Sequence, residues 1–251
     1  MPKGCACRAG QVLIPVLRLA LVAALMLAWP LALVLPLWVG WENGLFEKLQ
    51  LLTLLLGGTL CLIWAFREGR GAPPFVAVSG SVFTLPAYRA FWCACAPIWF
   101  ILAASEMSWG AVLLQPLSFN AVDGPEFSST QQLRHRLWVI GAAATALLFS
   151  VLLFFRYRLW HPLLRLWQVR QLPRAELGVM VVALVYSAAA EGRVPGVRWH
   201  GTHLQTLEEM TELLAFILLL MAQWHVRRAL AGVGHGVGIP SGTRAGPGAE
   251  R

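Results

Sequence analysis

The chain alternates between long apolar runs and short polar stretches, and this pattern predicts its helices. A helix needs about 20 apolar residues, at a rise of about 1.5 Å each, to cross the hydrocarbon core of a membrane. The apolar runs cover residues 13–39, 45–66, 91–114, 137–155, 177–190 and 210–224. The last two are shorter than this length, and we expect their helices to include flanking residues.

Prolines and glycines interrupt two of the apolar stretches. Pro15, Pro30 and Pro36 predict kinks or a break in the first run, because proline cannot donate a backbone hydrogen bond inside a helix. The stretch 75–88 is apolar but contains glycine and proline, and it is too short to span. We expect it to form an interfacial or re-entrant segment on the cytoplasmic side.

Basic residues lie between the apolar runs, which is the distribution that the positive-inside rule describes. If both termini are cytoplasmic, most of the 20 Lys and Arg residues fall on the inner side. Arg18 lies in the first run, close enough to its inner end to snorkel to the surface. The basic residues left on the outer side are Lys48, Arg134, Arg136, Arg193 and Arg198.

The composition supports a membrane protein. Hydrophobic residues make up 58% of the 251 residues and charged residues 13%, which is too apolar for a soluble domain of this size. The net charge of +8 does not indicate a nucleic-acid partner, because the basic residues separate apolar runs. We predict an all-α, polytopic transmembrane bundle of about six spans over residues 1–231. A flexible Gly- and Pro-rich cytoplasmic tail is predicted over 232–251.

Two glutamates within apolar runs are the first candidate functional residues. From the helical rise, Glu106 lies about 25 Å above Arg89, and Glu212 about 22 Å above Arg227. Both positions lie below the outer edge of a core about 30 Å thick. An ionised acid there costs about 2.5–3.5 kcal/mol, so such side chains normally face the bundle interior. The sequence therefore predicts a polar pocket that opens to the outer side.

Other ionisable residues reach similar heights near the outer edge. Glu47 and His135 each lie about 30 Å above the inner end of their helices. Glu47 beside Lys48 also fits a plain interfacial position, and Thr206-x-x-Glu209 also fits a capping box. The candidate catalytic residues are Glu47, Glu106, His135, Glu209 and Glu212.

Motifs for common soluble-enzyme chemistries are absent from the sequence. It contains no Walker loop, Rossmann glycine pattern, His-Glu-x-x-His motif or Gly-x-Ser-x-Gly elbow. His200 and His203, with Glu208 nearby, are candidate ligands for a divalent metal. Two loop histidines at this spacing also fit plain solvated positions. The sequence therefore does not identify a cofactor, and a divalent metal is the candidate.

Three stretches resemble a family of uncharacterised bacterial polytopic membrane proteins. They are "WENGLFEKLQLLTLLLG", "SEMSWG" and "LEEMTELLAFILLLMA". Members of that family carry an acid-Gly-x-x-Glu helix start, a Glu-x-x-Ser-Trp-Gly-Gln signature and a Glu-Glu-x-x-Glu-Leu helix start. The matching positions are Glu42, Gly44, Glu47, Glu106, Ser108, Trp109, Gly110, Glu208, Glu209 and Glu212.

The chain departs from this family pattern at two places. The Gln of the signature is Ala111 here, and the family's Asn- and His-containing outer loop is only loosely echoed by Asn120, Glu126 and His135. The resemblance implies a bacterial inner-membrane location but no known reaction. Arg134 and Arg136 flank His135, and this cationic triplet fits an anionic head group or compensates the acids. The candidate substrate-binding residues are Trp109, Asn120, Arg134 and Arg136.

Three functions are compatible with these residues. The first is an enzyme acting on a lipid or lipid-linked glycan, with a carboxylate as general base or metal ligand. The second is an ion-coupled transporter that uses intramembrane carboxylates. The third is a non-catalytic subunit whose acids pair with a membrane-protein partner. All three place membrane lipids around the chain.

Overall fold

The structure is a computed structural model of the 251-residue chain. It describes residues 5–67, 85–122, 124–127, 133–196, 199 and 201–232, with the backbone alone at 5–14, 133–136 and 231–232. The predicted tail from residue 233 onward and residues 75–84 of the predicted interfacial segment lie outside the described residues.

Helices account for most of the described chain. Two short 3₁₀ helices, Leu37–Val39 and Ser108–Leu113, and two strands, β1 (Ser118–Asn120) and β2 (Gly124–Glu126), lie between the α-helices. The α-helices are α1 (Cys5–Met26), α2 (Ala28–Val34), α3 (Leu45–Arg67), α4 (Leu85–Glu106), α5 (Leu133–Arg156), α6 (Trp160–Gln168), α7 (Arg174–Ala190) and α8 (Leu204–Gly232).

Several helices could cross a membrane. Within the described residues, α3, α4, α5 and α8 are long and apolar enough to do so. The pair α1 and α2 adds a fifth candidate if its 66° bend is counted within one span, and this bend confirms the predicted break in the first apolar run. Helix α7 has 17 residues and is about 26 Å long, slightly less than the hydrocarbon core.

Helices α3, α4 and α8 form the main core, and α5 packs on α4 at the periphery with most of its surface exposed. Small residues on α3 allow this close packing. Gly57 lies against the Trp99 ring and Gly58 against the Phe100 ring, so that an added Cβ would clash with either ring. Below them, Trp64 and Trp92 pack edge to face with ring centroids 4.7 Å apart.

Helix α4 differs from the predicted third span, 91–114. It begins at Leu85, so the end of the predicted interfacial segment is helical. It ends at Glu106, because the next residues leave the right-handed region: φ is 44° at Ser108, 57° at Trp109 and 92° at Gly110. These left-handed residues turn the chain into the second 3₁₀ helix and place Glu106 at a helix end.

A small hairpin follows this turn and docks on the segment before α3. Strands β1 and β2 pair antiparallel, with Ser118 opposite Glu126. The Trp41 indole donates a 3.0 Å hydrogen bond to the Val122 carbonyl. Gly124 has φ +81° and lies so close to the Trp41 ring that no Cβ fits there. The hairpin is therefore held at the same end of the bundle as Glu106.

Candidate functional site

Five carboxyl groups gather at this end of the bundle. The Glu106 carboxyl lies within electrostatic interaction range of three of them, and the Glu209 carboxyl within range of the other four. We call this group the outer acidic cluster. It comprises Glu47 of α3, Glu106 of α4, and Glu208, Glu209 and Glu212 of α8.

Hydrogen bonds from neighbouring residues orient three members of the cluster. The Glu47 carboxylate accepts a hydrogen bond from the backbone N–H of Asn43, in the turn before α3. The buried Gln50 amide donates to the Glu209 carbonyl at 2.8 Å and to its carboxylate at 2.9 Å. Ser187 of α7 donates to Glu212 Oε1 at 2.8 Å. The carboxylates thus lie on three helices, α3, α4 and α8, and a fourth helix, α7, supplies a hydrogen-bond donor.

Acids outnumber bases around the cluster in the part of the chain that the structure describes. Lys48 lies within electrostatic range of Glu47, and Arg193 within range of Glu208 and Glu212. The Glu191 carboxyl also lies within electrostatic range of Glu208 and Glu212. Close carboxylates resist joint ionisation, so this arrangement favours bound protons or a cationic partner.

A cavity of about 250 Å³ opens beside two of these carboxyl groups. Glu106 and Glu47 lie on its walls together with Lys48 and the Asn43 turn. The remaining walls are aliphatic or thioether side chains, two of them from the 3₁₀ helix that follows α4. These apolar residues are Leu51, Met107, Val112 and Leu113. The cavity therefore combines charged groups with an apolar surface.

Glu42, which precedes Asn43 of the cavity wall, contacts the hairpin. Its carboxylate accepts a 2.6 Å hydrogen bond from the Phe127 backbone N–H, directly after β2. Burial raises the pKa of the Glu42 carboxyl above its usual value, and the nearby Glu126 carboxylate adds to this rise. The hydrogen bond from Phe127 offsets part of it. Hairpin docking and the ionisation of Glu42 are thus coupled.

The predicted substrate-binding residues are dispersed. Trp109 lies in the second 3₁₀ helix and is half-buried, but it does not line the cavity. Asn120 is exposed in the hairpin, where its side-chain oxygen accepts a hydrogen bond from the Val122 backbone. Arg134, His135 and Arg136 lie in the first turn of α5, and their side chains are outside the described residues. Their predicted role at the pocket stays a prediction.

The metal candidates are likewise not assembled by the described part of the chain. Among the described residues, no group of three or more His, Cys, Asp or Glu side chains could hold a metal ion. His203 is half-buried and Glu208 lies beside Glu191, while His200 is outside the described residues. A divalent metal stays a candidate cofactor without a ligand set here.

One alternative interpretation of the acids is wrong. Helix α8 begins at Leu204, so Thr206 lies inside the helix and does not cap it, and Glu209 receives the Gln50 amide instead. Sequence reasoning missed Gln50 and Ser187. A signal for Gln50 was available, since it follows Glu47 by one helical turn in an otherwise apolar run and so shares its face.

A comparison of the chain with protein-family models, curated proteins and solved structures found no match.

Proposed function

We propose that this chain is a six-span protein of the bacterial inner membrane that acts on a lipid or lipid-linked glycan at the periplasmic leaflet. In this arrangement both termini are cytoplasmic, α1 with α2 forms one span, and α7 forms another. The proposal is supported by the apolar helices and by the placement of the basic residues between them. It puts the outer acidic cluster on the periplasmic side.

The observation that carries the proposal is the mixed lining of the cavity. Glu47, Glu106 and Lys48 offer charged groups to a polar head, while Leu51 and Leu113 offer apolar surface to a hydrocarbon chain. Binding sites for small molecules are usually largely apolar with a few convergent polar groups. An amphiphile with a head group near the carboxylates matches both parts of this cavity.

The carboxyl groups suit general acid–base catalysis of hydrolysis or group transfer. In our proposal Glu106 exchanges the proton of the reacting hydroxyl or water, because it lies on the cavity wall at the end of α4. Glu47 is held by the Asn43 backbone and is the second carboxylate of the site. Lys48 faces a phosphate or other anionic group of the substrate. Glu209 and Glu212 do not line the cavity, and in our proposal they set the charge around it.

Replacement of Glu106 and Glu212 by glutamine tests this proposal. Glutamine keeps the shape and removes the charge and the proton exchange, so each variant should abolish complementation of a deletion strain while the protein still inserts. The double variant should lose no more than the worse single variant, because residues that act as a unit are not additive. The matched control is Glu126→Gln, which changes an exposed acid of the hairpin outside the cavity.

The controls decide how the result is interpreted. Protein levels in the membrane must match the wild type, and the Glu126→Gln strain should grow normally. Full function in both Glu106→Gln and Glu212→Gln would refute a catalytic or binding role for the outer acidic cluster. Accumulation of one lipid species in the inactive strains would identify the substrate class.

One observation favours an ion-coupled transporter as the second candidate. The carboxyl groups of the outer acidic cluster lie within interaction range of one another and face few basic groups, as expected of a site that binds protons or cations. Purified protein in liposomes would then carry protons or sodium down an imposed gradient. Glu209→Gln should stop that flux, whereas an enzyme would show none in the wild type.

A further inference from the structure

A second ionic cluster lies at the opposite end of α8 from the outer acidic cluster. Glu176 Oε1 accepts a hydrogen bond from Arg18 Nε at 2.7 Å and lies 2.7 Å from His225 Nδ1. The Glu176 side chain is 1% exposed, against 40% for Arg18 and 23% for His225. We call these three residues the inner triad. Arg18, predicted to lie close enough to the inner end of its helix to snorkel, ties α1 to α7 and α8.

The charged groups around the inner triad have other partners. Arg227 stacks on the rings of Trp64 and Trp224, and Arg228 on Trp224. Arg174, at the start of α7, stacks on Trp167 of α6. The other acids that the structure describes lie at the opposite end of the bundle or in the hairpin.

Glu176 is thus the single described acid available to both cations of the triad. Its second oxygen, Oε2, is buried and has no hydrogen-bond partner among the described residues.

The geometry around His225 fits the neutral ring. Arg18 Nη2 lies 3.3 Å from both ring nitrogens, and an arginine can only donate hydrogen bonds. A neutral ring donates its Nδ1–H to Glu176 and leaves the guanidinium, which lies equally close to both nitrogens, against an uncharged ring. A doubly protonated ring offers no lone pair and sets a positive charge against the guanidinium. Protonated His225 therefore competes with Arg18 for Glu176.

Helix α1 contains one polar residue, Arg18, among its described side chains, residues 15–26. Its Leu21 packs in an apolar cluster with Leu214 and Leu218 of α8. Through the 66° bend it continues into α2, whose Ala28 and Ala32 pack near the start of α8, beside the outer acidic cluster. A change in the docking of α1 would therefore be transmitted to the other end of α8.

We propose that the inner triad is a proton-binding site that controls the docking of α1 on α7 and α8. With neutral His225, Arg18 bridges the ring and Glu176, and α1 is docked. When a proton from the adjoining aqueous phase binds His225 Nε2, the imidazolium keeps Glu176 and Arg18 turns to water. Histidine is suited to this role because it changes charge between about pH 5 and pH 8.

Distances between spin labels on α1 and α7 test this proposal in the full-length protein in nanodiscs. Cysteines replace Leu19 and Val182, both exposed, in a chain whose five native cysteines are alanine and whose folding is checked by gel filtration. At pH 8 we expect one narrow distance distribution. At pH 5.5 a second population with a longer distance should appear. The ratio of the two populations should change by at most about tenfold per pH unit if a single proton is bound.

Variants of the triad separate the proton site from a fixed structural ion pair. His225→Gln cannot gain a charge, so it should show the docked distance at both pH values. The matched control His161→Gln, on α6, should keep the pH response of the parent chain. Arg18→Gln should lose the docked distance at both pH values.

Three outcomes would overturn the proposal. A parent chain with the same distribution at pH 8 and pH 5.5 has no proton-controlled docking. A pH response that persists in His225→Gln places the titrating group elsewhere. An Arg18→Gln variant that stays docked shows that apolar contacts alone hold α1. None of these outcomes depends on the activity proposed for the outer acidic cluster.

Discussion

Ser187 of α7 donates a 2.8 Å hydrogen bond to the Glu212 carboxylate of α8, at the outer end of this helix pair. At the inner end the same pair is joined by Glu176 and His225, 2.7 Å apart. Apolar side chains lie between these two polar contacts, among them Met180 of α7. The two helices are therefore fixed in register at both ends, and a polar residue on α7 orients a carboxylate of the outer acidic cluster.

We expect Ser187→Ala to destabilise the protein by about 1–3 kcal/mol, because it leaves a half-buried carboxylate oxygen without its donor. Chemical unfolding in detergent measures the effect. Ser150→Ala is the matched control, because the buried Ser150 hydroxyl donates to the Ala146 carbonyl of its own helix and to no other helix. Its effect should be small. Equal losses in the two variants would show that the contact with Glu212 contributes little to stability.

The second prediction concerns the contact between α3 and α4. A Cβ at Gly57 would meet the Trp99 ring at 2.5 Å, and the Gly57 carbonyl accepts a 3.0 Å hydrogen bond from Gln223. Gly57→Ala should cost about 1–3 kcal/mol through overpacking. Gly141→Ala, in α5, has nothing within 4 Å of its new Cβ and should stabilise the helix by up to about 1 kcal/mol. A neutral Gly57→Ala in the same unfolding assay would contradict the close packing of these helices.

Hairpin docking depends on Gly124 for two separable reasons. Its φ of +81° disfavours side chains, and a Cβ would meet the Trp41 ring at 2.4 Å. Gly192 has a similar φ of +78° but open space around it, so Gly192→Ala isolates the backbone cost of about 1–2 kcal/mol. Gly124→Ala should cost more and should raise hydrogen exchange in the hairpin. If the two variants behave alike, the Trp41 contact does not hold the hairpin.

Several helices could be predicted from the sequence because their apolar runs are long and end at polar residues. The predicted run 45–66 agrees with α3, Leu45–Arg67, and the run 137–155 lies within α5. The start of α4 was missed because Pro86 suggested a break. Pro86 lies in the first turn of the helix, where its missing N–H costs no hydrogen bond.

The sequence predicted the heights of the site residues along their helices but not their contacts with neighbouring helices. Helical rise placed Glu106, Glu212 and Glu47 at similar heights, and the structure brings them within interaction range. The partners Gln50 and Ser187 depend on how each helix is rotated about its axis. A helix that is apolar on all sides carries little information about that rotation, so the contact of Ser187 could not be predicted, and for Gln50 the sequence showed only the helix face that it shares with Glu47.

The topology that underlies the proposed function is directly testable. Reporter fusions after Gly71 and Arg174 should report a cytoplasmic position, and fusions near Asp123 and Val197 a periplasmic position, because basic residues concentrate on the inner side. Alkaline phosphatase and a fluorescent protein, active on opposite sides of the membrane, give complementary readouts. An inverted pattern would place the cavity at the cytoplasmic leaflet and would contradict a periplasmic substrate.

The raised pKa of Glu42 predicts that hairpin docking is stronger in acid. A carboxyl whose pKa in the folded state is raised above 4.5 binds more protons there than in the unfolded chain. Its contribution to stability therefore falls as pH rises from the pKa of the unfolded chain to that of the folded state. Glu42→Gln keeps an acceptor for the Phe127 N–H and removes the charge, which should flatten this pH dependence. Hydrogen exchange of residues 118–127, corrected for the intrinsic effect of pH, measures this pH dependence.

Glu191→Gln, at an exposed acid outside the hairpin, is the control and should leave the exchange profile of residues 118–127 unchanged. A wild-type hairpin that becomes better protected as pH rises from 4.5 to 8 would contradict the assigned cause.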